Sequence, residues 1–163
     1  SLPMKHGSVV LGRIVNDMAI NTVSMIVMIG VGILVGYRPA GSAAELALGF
    51  LLILLISFSF SWVSASMGLT LKTVEAVNSF GFIWMFPLTF VSSAFVPVDT
   101  MPSWLQGFAE HQPFTKMVDA VRGLSLGTPA SGDVWAAFAW CLAILVVFVP
   151  LSMRQFKTAG GRD

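Results

Sequence analysis

The residues able to do chemistry are few in this sequence, and they do not assemble into a reaction centre. Its two histidines, His6 and His111, lie far apart, and neither has a serine or acid partner at a motif spacing. The one cysteine, Cys141, sits in an apolar run, which leaves no disulfide framework and no cysteine-based metal site. No pair of carboxylates is spaced for general acid–base work. No GxxxxGKS/T loop is present to cradle nucleotide phosphates. The chain is therefore read as a non-enzyme, with no catalytic residue, no metal ligand set and no cofactor of its own.

The remaining polar side chains of interest lie inside apolar stretches. Arg13, Asp17 and Asn21 fall at i, i+4 and i+8, and Ser24 and Met28 continue that face. An acid at the edge of a membrane span is costly unless paired, so Asp17 and Asn21 are candidates for a transport pathway. The plainer reading is an Arg13–Asp17 pair snorkelling to water, which could also brace the segment before it. Ser57, Ser61 and Ser64 share a helix face. Close packing is the favoured reading over a polar conduit. Gly32 and Gly36 make a GxxxG, a weak motif for close helix approach. Phe80, Phe82, Trp84, Phe86 and Phe90 surround Pro87, which is expected to kink a helix. Such a face could contact an amphipathic substrate, with Trp84 and Phe86 as pathway candidates, or could simply meet lipid. The nine methionines add an adaptable apolar surface.

The elements that must hold these residues follow from composition. The 163 residues are 56% hydrophobic and 10% charged, with net charge +1 and mean hydropathy +0.84. Soluble domains carry about 25% charge. This chain has too little to cover a water-facing surface and no basic face for nucleic acid. A bilayer core about 30 Å thick needs roughly 20 apolar residues per helix. Four stretches are expected to supply spans, at Val15–Tyr37, Ala44–Met67, Val77–Ala94 and Val134–Met153. The short alternating segments of a β-barrel are not evident. The fold class is all-α, a polytopic transmembrane helix bundle with four spans.

Local signals mark the ends. Ser42 and Glu45 form a capping box before the second span. Thr73 is expected to cap the third and Asp133 the fourth, while Arg38, Pro39 and Gly41 break the chain after the first. With both termini inside, Lys5, Arg13, Lys72, Arg154, Lys157 and Arg162 face the cytoplasm. Arg38, Lys116 and Arg122 then face out, a six-to-three bias in keeping with the positive-inside rule. The expected location is a cell membrane, with both termini of this chain cytoplasmic.

The long segment 95–132 carries the most information. Met101, Leu105 and Phe108 recur at helical spacing beside Trp104, and Pro113 interrupts. Phe114, Met117, Val118, Val121 and Leu124 then form a second stripe, opposite Thr115, Lys116, Asp119 and Arg122. Asp119 and Arg122 are placed to pair. Two amphipathic helices too short to span suggest an outer-face re-entrant or interfacial hairpin, in preference to a plain external loop.

Several runs in and around this segment resemble ABC-2 type transporter permeases, nearest to the daunorubicin/doxorubicin-resistance permeases of actinobacteria. They are Ser92-Ser93-Ala94-Phe95-Val96-Pro97, Met101-Pro102-Ser103-Trp104-Leu105, Pro113-Phe114-Thr115 and Val118-Asp119-Ala120-Val121-Arg122-Gly123-Leu124. In that family the segment lies between the last two helices and dips into the outer face, which singles out Trp104, Pro113, Asp119 and Arg122. The start, with Leu2, Pro3, Met4, Gly7 and Arg13, resembles the family's cytoplasmic ATPase-coupling segment, here residues 1–13. One departure is Gln112, where the family has Asn. The family has six spans. The resemblance therefore implies that this chain, which opens on Ser1 instead of Met, lacks the elbow helix and first two spans.

The function so implied is that of a membrane permease subunit in an ATP-driven exporter of hydrophobic or amphipathic compounds, drugs or lipids. A cytoplasmic ABC ATPase would hold the ATP and magnesium. A second permease subunit, identical or not, and membrane lipids complete the partners, and no nucleic acid is involved. A small four-helix membrane scaffold without transport is the alternative that hydropathy alone also allows. A secondary transporter fits less well, because no repeat and no mid-membrane charge is present.

Overall fold

The computed structural model describes residues 7–71 and 73–159. These residues form six α-helices and no strand: α1 (Gly7–Leu34), α2 (Ala43–Thr70), α3 (Val74–Phe90), α4 (Ser103–His111), α5 (Pro113–Leu126) and α6 (Ser131–Ala159). A single 3-10 turn, Val98–Thr100, precedes α4. Three helices are long and apolar enough to cross a membrane, over Gly12–Leu34, Ala43–Thr70 and Ser131–Gln155. The stretch expected as the third span, Val77–Ala94, is helical only as far as Phe90. At 17 residues, α3 rises about 25 Å, less than the hydrocarbon thickness of about 30 Å.

The helix ends show why the chain breaks where it does. Gly36 adopts φ +106°, its N–H donates to Ile33 O at 3.1 Å, and the Tyr37 N–H donates to Gly32 O at 2.8 Å. This is a Schellman motif. It ends α1 three residues before the expected Tyr37 and gives Gly36 the role of a cap, not of half a helix-packing GxxxG. The capping box before α2 forms as expected: the Ser42 N–H donates to Glu45 Oε2 at 2.7 Å, and the Glu45 N–H donates to Ser42 Oγ at 3.3 Å. Thr73 caps α3, its Oγ1 accepting the Ala76 N–H at 3.2 Å. Asp133, expected as the cap of α6, instead lies within its first turn. The Asp133 and Val134 N–H groups donate to Ala130 O, which sets the start of the helix ahead of Asp133. Pro113 opens α5 in the first turn, where its missing N–H costs nothing.

The chain divides into two compact units. The first comprises Ser1–Arg38, Ile53–Lys72 and Cys141–Asp163. Here α1 leaves large apolar side chains such as Val23, Met28 and Leu34 exposed. Within this unit α2 and α6 are stitched by hydroxyls. Ser59 Oγ donates to Leu55 O at 2.8 Å and lies 3.4 Å from Cys141 O, while Ser152 Oγ lies 3.4 Å from Trp62 O. Ser66 Oγ donates to Gln155 Oε1 at 3.1 Å, and Gln155 Nε2 donates to Thr70 Oγ1 at 2.9 Å. The packed serine face is therefore Ser59 and Ser66, seven residues apart, and not the Ser57–Ser61–Ser64 face expected. Ser61 is buried, but Ser64 is exposed. The residues of α2 that hydrogen-bond to α6 are Ser59, Trp62 (through its carbonyl), Ser66 and Thr70, a stripe of helical period.

The second unit comprises Pro39–Leu52 and Thr73–Trp140. Its core is built from Leu52, Met101, Ala109, Met117, Ala120, Leu124 and Ala137, with Ser92, Ser93, Gln112 and Thr115 buried among them. The two short helices expected between the last long ones are present as α4 and α5, broken at Gln112–Pro113.

Candidate functional site

The second unit holds the site, and α5 is its axis. The Ser92–Ser93 turn that follows α3 is bound to one face of α5. Ser93 Oγ donates to Asp119 Oδ1 at 2.7 Å, and the Ser93 N–H reaches Thr115 Oγ1 at 3.4 Å. Arg122 closes the arrangement, with Nη1 on Asp119 Oδ1 at 3.2 Å and Nη2 on Ser93 O at 2.8 Å. Gln112 Nε2 donates to Thr115 Oγ1 at 3.3 Å, while Gln112 Oε1 is buried without a partner among the described residues. Asp119 and Arg122 pair as their i, i+3 spacing requires. The polar face of α5 is only partly solvated, however. Thr115 is 2% exposed, because the turn after α3 supplies donors that offset its burial.

The far end of α5 is held as tightly. Gly127 stands at φ +71°, and the Thr128 N–H donates to Gly123 O at 2.9 Å. The N–H groups of Ala40 and Gly41 both donate to Ser125 O, at 3.1 and 3.2 Å, satisfying a carbonyl the helix end would orphan. A Cβ on Gly41 would collide with Leu124 O, and one on Gly127 would come within 2.9 Å of Ala40 O. Lys116 Nζ reaches Asp133 Oδ1 at 2.7 Å, joining α5 to the first turn of α6.

These ties leave a cleft of about 390 Å³ between α2, α5 and α6. Leu48, Leu124, Val134 and Phe138 form its apolar walls, with Pro129 and Trp135 at the α6 side. Its polar lining residues are Glu45 and Ser131. Trp135 is 73% exposed, and its ring centroid lies 6.4 Å from that of Phe138.

The other residues singled out in the sequence fall elsewhere. Leu2, Pro3 and Met4 lie outside the described residues; Gly7 opens α1, and Arg13 is exposed on it. No ion pair joins Arg13 to Asp17 among the described residues, so the pairing expected there does not form; Asp17 is half-buried and Asn21 exposed. Trp84 and Phe86 lie on α3. Phe86, Phe90 and Phe95 follow one another in ring contact, with centroids 4.4 and 5.0 Å apart, and Trp84 Nε1 is buried with no acceptor among the described residues. Trp104 is exposed on α4. The inward stripe there is Met101, Leu105 and Ala109, while Phe108, expected on it, faces out. Pro113 separates α4 from α5. The sequence reading missed Ser92–Ser93 as a binding partner of α5, and missed the Lys116–Asp133 pair. The first had a signal in the adjacent hydroxyls. The second had none, because its partners lie 17 residues apart across a turn.

Among the described residues the fold is all-helical, with three helices long and apolar enough to cross a membrane. Residues 1–126 match the ABC-2 type transporter family, and the chain belongs to that family. It is 29% identical over 157 residues to the daunorubicin resistance ABC transporter permease protein DrrB1 of Streptomyces coeruleorubidus, covering 96% of this chain and 56% of the relative. It is 24% identical over 153 residues to the probable doxorubicin resistance ABC transporter permease protein DrrC of Mycobacterium tuberculosis, covering 93% and 55%. The chain thus spans about half the length of these curated relatives. No solved structure matches it.

Proposed function

We propose that this chain is the membrane-embedded part of a permease subunit in an ATP-driven exporter of hydrophobic or amphipathic compounds, drugs or lipids. The observation that carries the reading is the family match over residues 1–126, together with drug-resistance permeases that align along nearly the whole chain.

In this reading α3 is a fourth span, at the lower limit of about 17 residues, and both termini face the cytoplasm. Arg38, Lys116 and Arg122 face out, and α4–α5 form the outer hairpin. Residues 1–13, with Leu2, Pro3, Met4, Gly7 and Arg13, dock a cytoplasmic ABC ATPase, which binds ATP and magnesium and performs the hydrolysis. A second permease subunit completes the pathway, with Asp17, Asn21, Trp84 and Phe86 as lining candidates. The anchoring of α5 at both ends supports the hairpin as a rigid outer element.

Two measurements test this. Co-purification of the full chain with its ATPase should be lost when residues 1–13 are deleted; retention removes the docking assignment. Inverted vesicles carrying both proteins should accumulate a lipophilic dye only with ATP. Absence of ATP-dependent uptake across a panel of drugs and labelled lipids rejects the export reading.

A further inference from the structure

We propose that the cleft between α2, α5 and α6 is a binding site for a lipophilic organic cation, with the positive charge at Glu45 and the apolar body against Leu48, Leu124, Val134 and Phe138. Its volume of about 390 Å³ lies in the range of small-molecule sites, about 300–1,000 Å³. The walls call for an apolar ligand.

The charge follows from what is absent around Glu45. Its Oε2 accepts both the N–H and the hydroxyl of Ser42, at 2.7 and 2.9 Å, and these are neutral donors. No lysine, arginine or histidine pairs with Glu45 among the described residues. Lys116, the cation at the α5–α6 junction, is held by Asp133 at 2.7 Å. The Glu45 carboxylate thus stands partly exposed at the polar rim of an apolar cleft, offset by the neutral Ser42 donors and the helix N-terminus but by no cation among the described residues. A ligand bringing one positive charge would complete that balance, and an anionic ligand would meet Glu45 unopposed. The exposed Trp135 ring beside Phe138 offers a further aromatic surface to a cation. A zwitterionic phospholipid fits poorly, since its phosphate would find no cationic donor among the lining residues. The occupant is therefore a small cation with no phosphate.

The cleft is also preformed. Ala40 and Gly41 hold the end of α5 through Ser125 O, a Cβ added at Gly49 would lie 3.5 Å from Leu124 Cβ, and the Lys116–Asp133 pair ties α5 to α6. Little ordering is needed on binding, which favours affinity. That such a cation is cargo rests on the export reading; that it binds does not.

Glu45→Gln separates this site from the capping role, because glutamine serves equally at the third position of a capping box. The test measures equilibrium binding of tetraphenylphosphonium and of neutral triphenylphosphine oxide to the full chain in lipid nanodiscs. Tetraphenylphosphonium is expected to bind saturably. Glu45→Gln should weaken it by about fivefold or more, while the neutral probe changes by less than about twofold. Val134→Trp, which fills the cleft, should weaken both probes. Binding of the phosphonium that is non-saturable, unaltered by Glu45→Gln, or unaltered by Val134→Trp overturns the site. Vesicle uptake with the ATPase then separates the two readings. Saturable binding without ATP-driven movement keeps the site and rejects export, whereas export with binding indifferent to both substitutions rejects the site alone.

Discussion

The Asp119 carboxylate accepts the Ser93 hydroxyl at 2.7 Å across 26 residues of chain, and the same oxygen takes Arg122 Nη1 at 3.2 Å. One acid thus ties α5 to the turn that ends α3. Asp119→Ala should lower stability by about 2 kcal/mol, since it strands a buried hydroxyl as well as breaking a charged contact. Arg122→Ala should cost less, because that pair is partly exposed. The double variant should fall short of the sum by about 1 kcal/mol, the coupling expected of contacting residues. Denaturant titration in detergent with a tryptophan readout measures all three; strict additivity would contradict a shared network.

Gly127 is the position at α5 where a side chain is least tolerable. It combines φ +71° with Ala40 O at 2.9 Å from any added Cβ. Gly127→Ala should destabilise by at least about 1–2 kcal/mol from the left-handed conformation alone, with the clash adding to it. Gly107→Ala is the control, as a Cβ there meets nothing within 4 Å, and it should be neutral or slightly stabilising by helix propensity. Comparing the two melting temperatures checks the ranking.

The Lys116–Asp133 bridge joins elements that no local rule connects. Its side chains are about three-quarters buried, so Lys116→Gln or Asp133→Asn should each cost about 1 kcal/mol. The exchanged pair, Lys116→Asp with Asp133→Lys, should recover part of that loss. A swap no better than the worse single variant would mean that the charges act independently.

Among the serines of α2, Ser66→Ala should lower stability by about 0.6 kcal/mol, the average for hydrogen bonds between membrane helices, because its hydroxyl donates to Gln155. Ser64→Ala, on the exposed side, should change nothing measurable. Equal effects at the two positions would contradict the packed face described here.

Much of the local structure is legible residue by residue. Ser42 with Glu45, and Thr73 before Ala76, form the caps their types call for, and Pro113 opens α5 after a break. Asp119 and Arg122 pair at i, i+3. Where the reading failed, a competing local or distant partner intervened. The Schellman geometry of Gly36 ended α1 early. The helix α6 begins at Ser131, two residues before Asp133, which therefore lies in the first turn and not at the cap. Phe108 was assigned to the inward stripe of α4, but Ala109 fits beneath the 3-10 turn and α5 with Met101 and Leu105. The cleft at Glu45 was invisible, since its walls come from three helices separated by up to 93 positions.

What the sequence by itself determined was the membrane character, the helical class, the helix ends with side-chain caps and the family motif. These depend on composition, periodicity and contacts within one turn, which a linear chain carries in full. Only the tertiary structure decided that Thr115 and Asp119 on the polar face of α5 meet Ser92–Ser93, that Lys116 belongs to Asp133, and that Ser59 and Ser66 are hydroxyls that join α2 to α6. The physical reason is that a hydroxyl or carboxylate can be buried wherever a partner offsets its desolvation. That partner is defined by approach in space, not by spacing along the chain.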